Sequence, residues 1–168
     1  MPGYVIHVAI AQEYLKKHNK EEKKEFIEGN INPDLIVPKS LSHYGKSPAY
    51  TNLYNFLQNN KIDNSFNRGK FLHLIADYLF YNVYLDYFNK EDLHNDYDIL
   101  NADIIDMYNV NLPEIVKQYV FNKSGNPKII NLELVSRVID ETSSLDIDIV
   151  AEEVKKGKKK WNTYKNLV

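Results

Sequence analysis

A chain of 168 residues with 43% hydrophobic and 26% charged positions can bury one sizeable core but is short for two ordinary domains. Its formal net charge of -2 provides no basic field for general nucleic-acid binding. The absence of cysteine removes disulfides, thiolate catalysis and Cys-based zinc fingers, leaving His, Asp and Glu as metal ligands. The opening MPGYVIHVAIAQEYLKK has no basic leader region and no apolar run reaches the length of a membrane span, so a single cytoplasmic domain over 1–168 is expected.

From Tyr4 to about His18, the residues Val5, Val8, Ala9, Ala11 and Leu15 recur at helical spacing, and a short second helix over KEEKKEFIEG stops at Gly29. The stretch NINPDLIVPKSLSHYGKSP reads as a long irregular connection of the kind that carries function. Next come a helix over AYTNLYNFLQNN, a long helix over 63–88, a turn at NKEDLHN and a helix over DYDILNADIIDMYNV. LPEIVKQYVF, NLELVSRVIDET and LDIDIVAEEVKKGKKKW complete the set, with Pro113 suited to a first turn and Ser143 or Ser144 to a cap. No alternating strand pattern recurs. The expected fold is an all-α bundle of seven or eight helices without internal repeats, its tyrosines mostly half-buried packing residues and its KKGKKKW run a solvated, frayed helix end.

The segment GKFLHLIADYLFYN is apolar almost all round, yet carries His73 and Asp77 one turn apart on one face. An ionised carboxylate there needs a partner, and the pair reads equally as a buried hydrogen bond or as shared metal ligation. His7 lies among Val5, Ile6, Val8 and Ile10 and faces the interior. Asp34 in NPD and His43 in SLSHYG stand in the connection, and each taken alone reads as a turn residue. His94 and Asp98 repeat the H-x-x-x-D spacing, with Asp96 between them, where an acidic helix start explains the pattern nearly as well. His18, in KKHNKEE, reads as solvated surface. Two i,i+4 pairs with two further interior histidines form the ligand types of hydrolytic zinc sites.

The order GYVIHVAIAQEYL, then FIEGNINPDLIVPKSLSHY, then GKFLHLIADYLFYN resembles the zinc-dependent phospholipase C family, whose all-α fold is shared with zinc-dependent single-strand nucleases. The match covers roughly residues 3–98. The resemblance implies one to three zinc ions held by His7, Asp34, His43, His73, Asp77, His94 and Asp98, with Asp34 as general base or ligand and Asp77 able to bridge ions. It implies hydrolysis of a phosphate ester, whether lipid, nucleotide or single-stranded nucleic acid. The chain departs from the pattern in lacking a histidine between the two helical pairs, where Asn82 and Asp86 stand, and in starting Met1, Pro2, Gly3 where the family uses an N-terminal tryptophan; the Pro2 amino group is the available substitute.

Three other classes compete, of which a metal-free nucleic-acid-binding helical domain lacks any basic recognition helix beyond the terminal lysines. A phosphohydrolase of the HD type needs adjacent His and Asp, and the sequence has no such dipeptide. A non-catalytic helical module that binds metal or a partner, with part of the zinc cluster lost, is the main alternative.

Overall fold

The structure, a computed structural model, describes residues 3–165. Among the described residues all regular structure is helical: α1 (Tyr4–Lys17), α2 (Lys23–Leu35), α3 (Lys39–His43), α4 (Leu53–Asn59), α5 (Ser65–Leu79), α6 (Lys90–Tyr108), α7 (Glu114–Lys117), α8 (Leu132–Ser143) and α9 (Ile147–Lys155). The all-α class expected from the sequence holds. No helix of the described residues is long and apolar enough to cross a membrane.

Two helices form the centre. Every residue from Val5 to Ala11 on α1 and from Phe71 to Tyr78 on α5 is buried, in runs that are apolar except for His7, His73 and Asp77. Around them pack two-faced helices. α8 buries Val135, Val138, Ile139 and Thr142, and α9 buries Ile147, Val150, Ala151 and Val154, each a single stripe at helical spacing. Asparagine side chains cap the starts of four helices: Asn52 on α4, Asn64 on α5, Asn89 on α6 and Asn131 on α8. Asp146, rather than Ser143 or Ser144, caps α9; Ser143 is the last residue of α8.

α2 does not stop at Gly29. It continues through Pro33 to Leu35, so the expected irregular connection is largely helical, with α3 following after a short break. Packing on α5 overrides the local stop signal. A Cβ on Gly29 would lie 1.9 Å from the Phe66 carbonyl oxygen, and one on Gly69 would lie 2.1 Å from that of Phe26, so the two glycines let the backbones touch.

The long helix expected over 63–88 is shorter. α5 ends at Leu79 and loosens into a π turn at Phe80–Tyr84. The Asn82 amide donates to the Tyr78 carbonyl and to Ala49 O, competing for an acceptor the helix would use. NKEDLHN is not a turn: Asn89 accepts from the Asp92 N–H and α6 begins at Lys90. The helix expected over LPEIVKQYVF shrinks to the four residues of α7. The lysine run is anchored rather than frayed, because buried Trp161 packs near Tyr78 and Glu153 pairs with Lys158 and Lys160.

Asp96 ties the segment 128–130 to α6. Its carboxylate accepts the backbone N–H groups of Lys128 at 2.8 Å, Ile129 at 2.6 Å and Ile130 at 3.0 Å. Removing it leaves those donors without an acceptor, at about 1–3 kcal/mol for each that water cannot reach. Asp96→Ala is therefore expected to destabilise the protein by about 3 kcal/mol in a denaturant melt, whereas exposed Asp103→Ala changes little.

Candidate metal centre

The crossing of α2, α3 and α5 against α1 brings five of the seven expected residues together. His7 comes from α1, Asp34 from the end of α2, His43 from α3, and His73 and Asp77 from the same face of α5. All five side chains have no exposed surface.

The donor atoms converge. Asp77 Oδ2 lies 2.9 Å from His43 Nε2 and 3.4 Å from His73 Nε2, while Asp77 Oδ1 lies 3.2 Å from His7 Nε2. His43 Nε2 and His73 Nε2 are 3.3 Å apart. Asp34 closes the cluster, with Oδ1 3.6 Å from His43 Nε2 and 3.7 Å from His73 Nε2, and Oδ2 3.9 Å from His7 Nε2.

The outer edges of two imidazoles determine what the inner edges present. His73 Nδ1 is 2.7 Å from the Asn30 carbonyl oxygen, and His43 Nδ1 is 2.9 Å from Ser42 Oγ and 3.1 Å from the Lys39 carbonyl oxygen. A carbonyl only accepts, and the Ser42 hydroxyl donates to the Pro33 carbonyl at 2.7 Å, so these Nδ1 atoms carry the hydrogens, an assignment made from the hydrogen-bond network. In the neutral rings both Nε2 atoms then turn lone pairs toward each other and toward carboxylate oxygens. Both oxygens of Asp77, Asp34 Oδ2 and both nitrogens of His7 have no aligned hydrogen bond despite their close neighbours. Ring N–H groups turned toward the carboxylates, or a metal ion between them, can answer these lone pairs.

The spacing fits a metal. Ligand atoms at about 2.0–2.1 Å from a tetrahedral zinc lie ~3.3 Å from one another, and the closest separations here run from 2.9 to 3.4 Å. Two overlapping triplets have donor atoms all within 4.8 Å of one another: His7, His73 and Asp77, and Asp34, His43 and His73. The carbonyls of Asn30 and Lys39 supply the outer hydrogen bonds that orient metal-binding imidazoles.

Protonation without a metal is uneven. Burial, followed by the charge of His73 stacked at a ring separation of 3.7 Å, pushes His7 down to about 4. Burial also works against a charge on His73, yet Asp34 and Asp77 outweigh it and hold the imidazole above its ordinary value. Burial would raise the Asp77 carboxyl, but the charge of His73 and the approach of His43, His7 and His73 hold it well below the carboxylate range. A proton is therefore favoured on His73 over His7.

His94 and Asp98 do not join the cluster. They lie on the solvent side of α6: its buried face runs through Leu93, Asp96, Tyr97, Leu100 and Ile104, and His94 is exposed. Both line a cavity of about 500 Å³ whose wall includes Asp34, Lys39, Tyr4 and Tyr97. Asp34 is the one member of the five-residue cluster on that wall. The Pro2 amino group lies outside the described residues.

Sequence reasoning missed Lys39 and Tyr97. Lys39 Nζ donates to Asp34 Oδ1 at 2.8 Å and to the Asp34 carbonyl at 2.7 Å. Burial, and then the carboxylates of Asp77, Asp34 and Asp96, hold the Tyr97 phenol neutral well above its usual range. Nothing in the local sequence marks Lys39; the burial of Tyr97 was legible in its spacing from Leu93 and Leu100. No family model, curated protein or solved structure matches this chain.

Proposed function

We propose that this chain is a zinc-dependent hydrolase of phosphoric esters, of the kind suggested by its resemblance to the zinc-dependent phospholipase C family. The observation that supports the reading best is the convergence of three Nε2 atoms and two carboxylates, with unanswered lone pairs, behind a cavity that Asp34 faces. His7, His43, His73 and Asp77 would hold the ion, and Asp34 would share it. Zinc in such a place supplies Lewis acidity, polarising a phosphoryl oxygen and bringing the pKa of coordinated water down to about 7.

The chain's own residues supply the rest. Asp34 stands between the buried donors and the cavity, with Oδ1 held by Lys39 and Oδ2 lacking an aligned partner. Its carboxylate is the group suited to orient water from the cavity and to take its proton. Tyr97, neutral over the working range, can donate a hydrogen bond to substrate but cannot act as a phenolate nucleophile. The apolar walls from Val5, Leu35, Val120 and Phe121 limit the water reaching that point.

The test is turnover by zinc-loaded protein on generic aryl phosphodiesters and monoesters, phospholipid vesicles and single-stranded DNA. Wild type is expected to turn over at least one of these, with Asp34→Asn retaining zinc but losing at least about a hundredfold in rate. Absence of turnover on all of them would sink the hydrolase reading. A specific observation favours the remaining one, a non-catalytic metal-binding module: all five donor side chains are wholly enclosed, and of the five only Asp34 borders the cavity.

Zinc affinity should also depend on pH with a definite sign. Bound imidazoles must be neutral, and His73 keeps its proton to higher pH than a free imidazole. Affinity measured against a competing chelator is expected to fall as pH drops from about 8 to about 6. In the metal-free protein the two imidazoles oppose each other: His73, with its raised pKa, contributes stability below the unfolded value that is lost as pH rises through its folded pKa, whereas His7, held down to about 4, costs stability as pH falls below the ordinary imidazole value.

A further inference from the structure

The two donor triplets share His73. An imidazole nitrogen has a single lone pair, and His73 Nδ1 is committed to the Asn30 carbonyl at 2.7 Å. His73 therefore can ligate an ion in only one of the two triplets, and the other is left with two donors of its own.

Charge points the same way. The carboxylates of Asp34 and Asp77, both fully enclosed, balance one divalent ion. A second ion would leave two surplus positive charges where no side-chain surface reaches water, a cost several times that of an exposed pair. The outer face of Asp34 is moreover already taken. Lys39 Nζ sits 2.8 Å from Oδ1 and 2.7 Å from the main-chain oxygen of the same residue, where a second ion would seek its carboxylate.

Lys39 is also placed to meet a ligand. Its side chain is 31% exposed, against none for Asp34, so the ammonium is the outermost charge of the centre. It lines the cavity of about 500 Å³ and a neighbouring one of about 310 Å³, and His94 lines both as well. Lys90 lines the smaller cavity, so two ammonium groups border that space beside the His94 imidazole, which burial and Lys90 keep from charging. Asp98, on the wall of the larger cavity, disfavours an anion near His94, which leaves the Lys39 end as the electropositive one.

We propose that the centre holds a single divalent ion and that Lys39 is its second cation, fixed on Asp34 at the cavity wall, where it binds an anionic oxygen of the substrate's phosphoryl group. The proposal rests on the zinc reading above and specifies its stoichiometry and the residue that receives the substrate. One ion, two carboxylates and one ammonium sum to one positive charge, with the Lys39 side chain at the cavity wall. That suits an anion, whereas a neutral ester gains nothing from it.

Native mass spectrometry counts the ions held by full-length wild type, Lys39→Met and Lys39→Arg after zinc is added in excess, and calorimetry measures the binding of inorganic phosphate to each zinc-loaded protein. One ion per chain is expected in all three. Phosphate should bind at least about tenfold more weakly to Lys39→Met than to wild type, with most of the affinity kept in Lys39→Arg. Two or more tightly held ions in wild type would overturn this inference while leaving the metal centre standing. One ion with equal phosphate affinity in Lys39→Met, or no phosphate binding by wild type, would overturn the role of Lys39. No zinc in wild type would overturn both the inference and the reading it rests on.

Discussion

Asp77→Asn is expected to lower zinc affinity by about a hundredfold or more, the largest loss of any single substitution at the centre. Asp77 places one oxygen against His43 and His73 and the other against His7, so every imidazole of the cluster meets it. The amide keeps the volume but removes the charge, and it turns an N–H₂ toward at least one lone pair. Losing a ligand outright costs more than the 10–100-fold typical of a lost outer hydrogen bond. Metal content by inductively coupled plasma mass spectrometry, on protein made without a histidine tag, reads the effect directly. Thermal melts give an independent reading: at a hundred times the wild-type Kd, zinc adds about 2.7 kcal/mol to wild type and almost nothing to the variant. His94→Ala, altering a residue exposed on α6, should leave both readouts as in wild type. If zinc neither binds nor raises the melting temperature of wild type, Asp77 is held by histidine protons alone and the centre is structural.

Gly29→Ala should unfold or grossly weaken the protein. The added Cβ would lie 1.9 Å from the Phe66 carbonyl oxygen, 2.7 Å from its carbonyl carbon and 2.9 Å from its Cα, all main-chain atoms that cannot swing aside. Relief requires α2 and α5 to move apart. Overpacking into side chains costs about 1–3 kcal/mol, and a clash with a helix backbone exceeds that, so a loss of about 3 kcal/mol or more is expected. The same movement breaks the 2.7 Å contact between His73 Nδ1 and the Asn30 carbonyl, one residue beyond Gly29. If the variant remains folded, it should therefore bind zinc more weakly although no ligand has changed. Gly157→Ala is the comparison. No atom lies within 4 Å of its Cβ position, and only its positive φ of 72° opposes the substitution, so about 1 kcal/mol is expected there. Equal stability of Gly29→Ala and wild type would show that the two helices are not held at this distance.

The resemblance drawn from residue order and the physics of the buried cluster bear on different questions. Residue order pointed to seven ligands; the helices bring five within reach of a common point and leave His94 and Asp98 at a cavity wall. The identical H-x-x-x-D spacing of the two pairs therefore has two meanings. On α5, a helix apolar all round, the pair is driven inward. On α6 the apolar stripe Leu93, Tyr97, Leu100 and Ile104 lies one position away from each member of the pair, which turns both toward solvent.

Local chemistry was enough to determine the all-α class, the burial of α5, the inward face of His7 on α1, and the pairing of His73 with Asp77, because these follow from helical periodicity within a single segment. It was not enough at Gly29 and Pro33, where every local signal ends a helix. Only the contact with Gly69 and Phe66 across the crossing carries α2 on to Leu35 and so sets Asp34 beside three histidines. Lys39 shows the same limit. Its neighbours in the chain say nothing of its role, and it gains one because α3 starts where its ammonium meets Asp34 at 2.8 Å. Periodicity decides which side of a helix is buried, whereas the meeting of donor atoms from α1, α2, α3 and α5 depends on how closely those helices can approach, a property of their packing in three dimensions.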